Sequence, residues 1–204
     1  LNKKKYFIGC IIILCFIIGG LFNIKKFLKI IYPIHYEEYV YKYSKEYSID
    51  PYLVFAIIKT ESKFFPYAKS HKNARGLMQI SEGTQKWAME ELGMENLNIF
   101  DPQANIKVGC WYINKLFEQF KDIDLVIAAY NGGSGNVNKW LKDERYSYNG
   151  INLTNIPFKE TKKYVEKVKK YYKIYKILYA ERGETDEEIK NYCSFNCCCF
   201  SFWV

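Results

Sequence analysis

The sequence predicts a mainly α-helical protein. Turn signals divide the middle of the 204-residue chain into segments of helical length. No stretch of useful length alternates apolar and polar residues as a half-buried strand does, although residues 143–155 leave room for a small hairpin. Asp-Pro pairs at 50–51 and 101–102 read as helix starts, with Asp as the N-cap and Pro at the first helical position. The elements follow in order. Residues 36–47 form a polar-aromatic helix. PYLVFAIIKTES, from Pro51, is apolar nearly all round and is therefore buried, closing at Glu61. Residues 62–82 are a loop with a short GLMQ turn. Thr84 to Leu92 is amphipathic and stops at Gly93. Pro102 opens a helix to about Phe120. Asp124 to Tyr130, with Asp124 as a candidate cap, and Val137 to Leu141 are short helices. The last long helix runs from Pro157 to about Tyr179. Val165, Val168, Tyr172 and Tyr175 fall on one face of it and turn its lysines outward.

Composition sets the organisation. Residues 1–30 are a different kind of sequence from the rest. Lys3, Lys4 and Lys5 precede an uncharged apolar run from Tyr6 to Phe22. As a helix, this run spans about 26 Å at 1.5 Å per residue. The bilayer core is about 30 Å, and Lys25 and Lys26 can snorkel to extend the span. A cleaved leader has a similar start, but no small-x-small cleavage site follows, which favours one uncleaved N-terminal transmembrane helix. Residues 31–180 are an ordinary length for one domain. Residues 181–204 join a charged linker, ERGETDEEIK, to a Cys- and aromatic-rich tail, and are expected to be unstructured. Of seven cysteines, four lie in that tail without paired CxxC spacing, and Cys110 stands alone in the domain, so the fold needs no disulfide.

The net charge of +8 is concentrated from Lys159 to Lys176. Such a surface suits anionic wall polymers or headgroups, but a solvated helix face explains it as simply. No recognition motif accompanies the charge, so nucleic acid is not an expected partner. Two histidines, His35 and His71, lie far apart and without ligand spacing, and no phosphate-binding glycine loop is present. No metal and no cofactor is expected.

One carboxylate stands out. Glu61 leaves the apolar segment IIKTES just before a polar loop. Apolar surroundings raise a carboxyl pKa and keep the acid protonated near neutrality, able to give its proton to a glycosidic oxygen. Ordinary glycosidases place two carboxylates roughly 5–9 Å apart. Here Glu82 falls in a polar turn, and Asp101 and Asp124 read as helix caps, so chemistry with one carboxylate fits better.

Four segments then occur in order: ESKFFPYAKS (61–70), RGLMQIS (75–81), AYNGGSGNV (129–137) and IPFKETKKYVEKV (156–168). Together they resemble the SLT-type lytic transglycosylases, relatives of the goose-type lysozymes, over roughly residues 36–179. The resemblance implies a lysozyme-like catalytic domain that cuts the bond between N-acetylmuramic acid and N-acetylglucosamine in peptidoglycan without water. The product would carry a 1,6-anhydro ring. Glu61 would be the single acid and base. Ser70, Met78, Gln79, Tyr130, Asn131 and Tyr164 would line the substrate cleft. The segment 143–155 aligns to nothing in the family. The substrate lies outside the cell, so the resemblance places the domain on the extracytoplasmic side of the cell membrane, held by the single N-terminal span. A hydrolytic muramidase, or a silent glycan-binding module of an envelope machine, are the alternatives. In the first, water replaces the muramoyl hydroxyl in the same cleft.

Overall fold

The computed structural model describes residue 7, residues 19–20 and residues 23–180. The chain divides into two compact units, Leu1–Ile34 and His35–Val204. In the first unit, residues 23–31 are helical and Tyr32 N–H closes onto Leu28 O at 2.8 Å. The expected membrane span, Tyr6 to Phe22, lies almost wholly outside the described residues, as does the tail from residue 181. Among the described residues no helix is long and apolar enough to cross a membrane.

The second unit is built of seven α-helices among the described residues: α1 (Glu37–Glu46), α2 (Pro51–Glu61), α3 (Glu82–Leu92), α4 (Pro102–Phe120), α5 (Ile123–Gly132), α6 (Ser134–Leu141) and α7 (Lys159–Tyr179). Their starts are chemically defined. Asp50 accepts from Tyr52 N–H at 2.8 Å ahead of Pro51, and Asp101 accepts from Ala104 N–H at 2.8 Å ahead of Pro102. These side chains satisfy amide groups that have no partner inside the helix. Ser81 does the same for Thr84, so α3 starts earlier than the amphipathic pattern alone suggests. At α5 the cap is Asp122, whose Oδ1 accepts from Leu125 N–H at 2.9 Å. The expected cap, Asp124, is the second residue of the helix, within its first turn, and pairs with Lys169 at 2.6 Å.

α2 is the axis of the core. Seven consecutive residues, Tyr52 to Ile58, are buried. A helix buried all round needs a neighbour on every side. α7 and α1 pack against it, while α5 packs on α7, α4 and α6. Each large apolar side chain buried in this way contributes about 1.5–3 kcal/mol. Tyr175 of α7 lies fully buried, its ring 5.9 Å from that of Phe55. Tyr172 stands at the boundary and donates its hydroxyl to Asp50 Oδ2 at 2.6 Å, tying α7 to the start of α2. Cys110 is buried, and burial pushes its thiol pKa up, consistent with a packing role.

Residues 143–155 form no hairpin. The segment is a loop closed by Thr154 N–H to Tyr146 O at 2.8 Å, with Gly150 at φ +69° making the turn. Its flanks carry no apolar alternation that a sheet could bury. Among the described residues, extended pairing is limited to isolated bridges, Lys69 with Arg75 and Arg75 with Ile80.

Candidate active site

Glu61 is the last residue of α2, placed where the buried helix meets the loop. Burial raises its pKa from the ordinary carboxylate value to about 7, against the opposing pull of a hydrogen bond from Tyr164 and the nearby charge of Lys167. Tyr164, on α7, is 8 % exposed and donates its hydroxyl to Glu61 Oε1 at 2.6 Å. Among the described residues, the side chains that act on Glu61 are Tyr164 and Lys167, and neither is a carboxylate. The other acids singled out in the sequence are engaged elsewhere: Glu82 with Lys86, Asp101 as a cap, and Asp124 with Lys169.

Tyr130 approaches from the last turn of α5, close enough for the Glu61 charge to act on it. Burial and that charge push the Tyr130 phenol well above the usual tyrosine pKa, and the same two causes raise Tyr164. Both therefore remain neutral hydroxyls at neutral pH. Tyr130 spends its proton on Met78 O at 2.8 Å, and so holds the GLMQ turn against α5. Gln79 takes a positive φ of 49°, and its Nε2 donates to Ala68 O at 3.1 Å and Gly76 O at 2.9 Å. The strained backbone is locked by the side chain itself.

The remaining candidates, Met78, Ser70 and Asn131, make the following contacts. Met78 is fully buried and packs on Gly109, where an added Cβ would lie 2.1 Å from Met78 Sδ. It meets the site through its backbone carbonyl, so as a wall residue it acts from beneath. Ser70 is half-buried, and its Oγ accepts from Ala74 N–H at 3.0 Å, closing its own loop rather than bonding Glu61. Asn131 is exposed at the last turn of α5 and makes no bond to the other candidates. Hydrogen bonds thus join Glu61 to Tyr164 and Tyr130 to the Met78–Gln79 turn, and the Glu61 charge acts on Tyr130; Ser70 and Asn131 make none of these contacts. Among the described residues, no cluster of His, Cys, Asp or Glu side chains is placed to hold a metal ion.

Asn105, on α4, is a structural centre that motif reading passed over. It is fully buried; its Oδ1 accepts from Met78 N–H at 2.8 Å, and its Nδ2 donates to Arg75 O at 3.0 Å and Ile99 O at 2.8 Å. Gly76 is needed beside it: φ is +77°, and a Cβ there would lie 2.1 Å from Asn105 Nδ2. The available signal was an amide on the apolar stripe of α4 formed with Val108 and Gly109, since a buried amide must find partners.

A helical domain with one protonatable carboxyl held by a tyrosine at the end of its central helix is lysozyme-like in fold. Comparison with known proteins makes the class specific. The Transglycosylase SLT domain family matches residues 38–152, and the chain belongs to that family. It is 29 % identical over 157 residues to the soluble lytic murein transglycosylase of Escherichia coli K12, covering 74 % of this chain and 24 % of that protein. It is 32 % identical over 180 residues to the membrane-bound lytic murein transglycosylase C of Cronobacter sakazakii, covering 71 % of this chain and 49 % of that protein. Among solved structures, the inactive Glu-to-Gln mutant of lytic transglycosylase Slt from Pseudomonas aeruginosa superposes with a TM-score of 0.66 at 31 % identity, covering 79 % of this chain and 27 % of that one. The 70-kDa soluble lytic transglycosylase in complex with bulgecin A gives 0.67 at 28 % identity, covering 76 % of this chain and 26 % of that one. The chain thus spans between about a quarter and a half of the length of these relatives.

Proposed function

We propose that this domain is a peptidoglycan lytic transglycosylase cutting between N-acetylmuramic acid and N-acetylglucosamine, with Glu61 as its single acid and base. The observation that carries the reading is a carboxyl raised to about 7 by burial and bonded by Tyr164, with no partner carboxylate acting on it among the described residues. Protonated Glu61 gives its proton to the bridging oxygen, and the bond from that oxygen to the muramoyl anomeric carbon breaks. The substrate's own acetamido group stabilises the cation-like centre. Glu61, now ionised, removes the proton of the muramoyl 6-hydroxyl, and that oxygen closes on the anomeric carbon. The proton borrowed in the first step is restored in the second, and no water is consumed.

Tyr164 holds the carboxyl in one rotamer and stabilises its ionised form between the two steps. Gln79, Tyr130 and the Met78 carbonyl shape the adjoining wall, with Ser70 and Asn131 at its margin, where sugar and acetyl groups would be positioned. The named relatives act on murein, and one is membrane-bound, which supports glycan strands as the substrate. Membrane attachment through the N-terminal segment and an extracytoplasmic site belong to the same proposal.

The reading predicts a pH profile. The free enzyme must carry a proton on Glu61, so kcat/KM falls as pH rises through about 7. The Tyr164 hydroxyl favours the ionised carboxyl, so Tyr164→Phe moves this limb to higher pH while lowering the rate. An unmoved limb would show that Tyr164 does not bond the reacting carboxyl.

A further inference from the structure

A concavity of about 850 Å³ lies in the same unit, and Glu61 is not among its lining residues. It is lined by the N-terminal end of α5, at Ile123 and Asp124, whereas the candidate site lies at the C-terminal end, at Tyr130. These ends are about 10 Å apart at 1.5 Å per residue. Its lining is largely apolar: Ile49, Leu53, Phe117, Ile123, Ile156 and Val165. Lys121, Lys162, Lys169, Lys170 and Lys173 stand around it.

The carboxylates in the groove do not balance this charge. Asp50 accepts from Tyr172 at 2.6 Å and faces Lys176 at 3.8 Å. Asp124 pairs with Lys169 at 2.6 Å. Glu166 is the remaining acid of the lining. Among the described residues, Lys162, Lys170 and Lys173 form no ion pair, and all three are exposed along α7. An apolar trough with three lysines of unmet charge fits an acidic segment that also carries apolar side chains.

The chain itself supplies such a segment. Residues 181–190, outside the described residues, read ERGETDEEIK, with five acids against two bases, and the apolar NYCSFNCCCF follows. We propose that residues 184–192 return along α7 and occupy this groove, with Glu184, Asp186, Glu187 and Glu188 against Lys162, Lys170 and Lys173. The dimensions agree. Lys173 and Lys162 lie about 9 and 26 Å back along the helix from Tyr179, at 1.5 Å per residue. Extended chain of about 3.3 Å per residue carries Glu184 to about 17 Å and Glu188 to about 30 Å from the same point. The acidic run therefore reaches the lysines with about 4–8 Å left over for the reversal of the chain.

Zero-length carbodiimide coupling of the full chain, kept in detergent and reductant and mapped by mass spectrometry, tests the proposal. The 2.6 Å contact of Lys169 with Asp124 is the internal control. The expected result is amide links from the 184–188 acids to Lys162, Lys170 or Lys173 within one chain, as judged with a mixture of isotopically light and heavy protein. Lys170→Glu with Lys173→Glu is expected to weaken the remaining link to Lys162 by about fivefold, because exposed pairs contribute modestly each. Recovery of the control without any link from the acidic run would overturn the proposal. Links joining light to heavy chains would also overturn it, by making a second copy the occupant.

Discussion

Glu61→Gln is expected to lower glycan cleavage by about a thousandfold or more while leaving the fold and glycan binding intact. General acid–base groups contribute about 10²–10⁴-fold, and here one residue serves both steps, so the upper part of that range applies. The amide can still accept the Tyr164 hydrogen bond that Glu61 Oε1 accepts, so the geometry survives. Stability should move in the opposite direction to activity. The folded-state pKa of Glu61 is raised to about 7, so the folded protein holds this proton more tightly than the unfolded chain. Its contribution is therefore present below the ordinary carboxylate pKa and is lost as pH rises through about 7. At pH 8 the wild-type protein must bury an ionised carboxyl and the glutamine variant need not. The variant should melt at the higher temperature there, an advantage that disappears toward pH 4. Turnover above a few per cent in the variant would remove Glu61 from the role assigned to it.

Asn105→Ala is expected to destabilise the second unit by about 3 kcal/mol. The substitution leaves the fully buried Met78 N–H without its acceptor and Ile99 O without its donor, and removes one of two donors from Arg75 O, which keeps Ile80 N–H at 2.9 Å. A buried polar group left unsatisfied costs about 1–3 kcal/mol, and relaxation of the turn recovers part of the sum. For a domain of this size, the melting temperature should fall by about 10 °C. Activity should fall as well at temperatures where both proteins are folded, because the released turn carries Gln79 and the carbonyl that fixes Tyr130. A melting temperature within about 2 °C of wild type would show that the turn has another anchor.

Glu61 was legible in the sequence because its environment is local. An apolar helix that ends in a carboxylate already places that group at a buried edge, and the structure adds Tyr164 from 103 residues away. The Asp-Pro starts at 50–51 and 101–102 were equally local, since one side chain and one ring define each. Asp124 shows where local reading fails. Asp122 and Asp124 both precede the apolar run, and only backbone geometry decides which of them caps it. Met78 and Ser70 sit in segments that carry the family resemblance, but a residue's place in a segment does not say whether its side chain or its backbone faces the cleft. Asn105 was missed because its three partners lie in two other segments of the chain, and nothing adjacent to it in sequence marks it.

The measurement that bears most directly on the central claim is the mass of the fragments released when the described domain is incubated with purified peptidoglycan. The account predicts muropeptides that end in 1,6-anhydromuramic acid, each one water lighter than its reducing-end counterpart. Reducing ends would contradict it by making water the acceptor and calling for a second carboxylate. Bound but uncut glycan would contradict it equally, leaving a binding module that keeps Glu61 and Tyr164 without their chemistry.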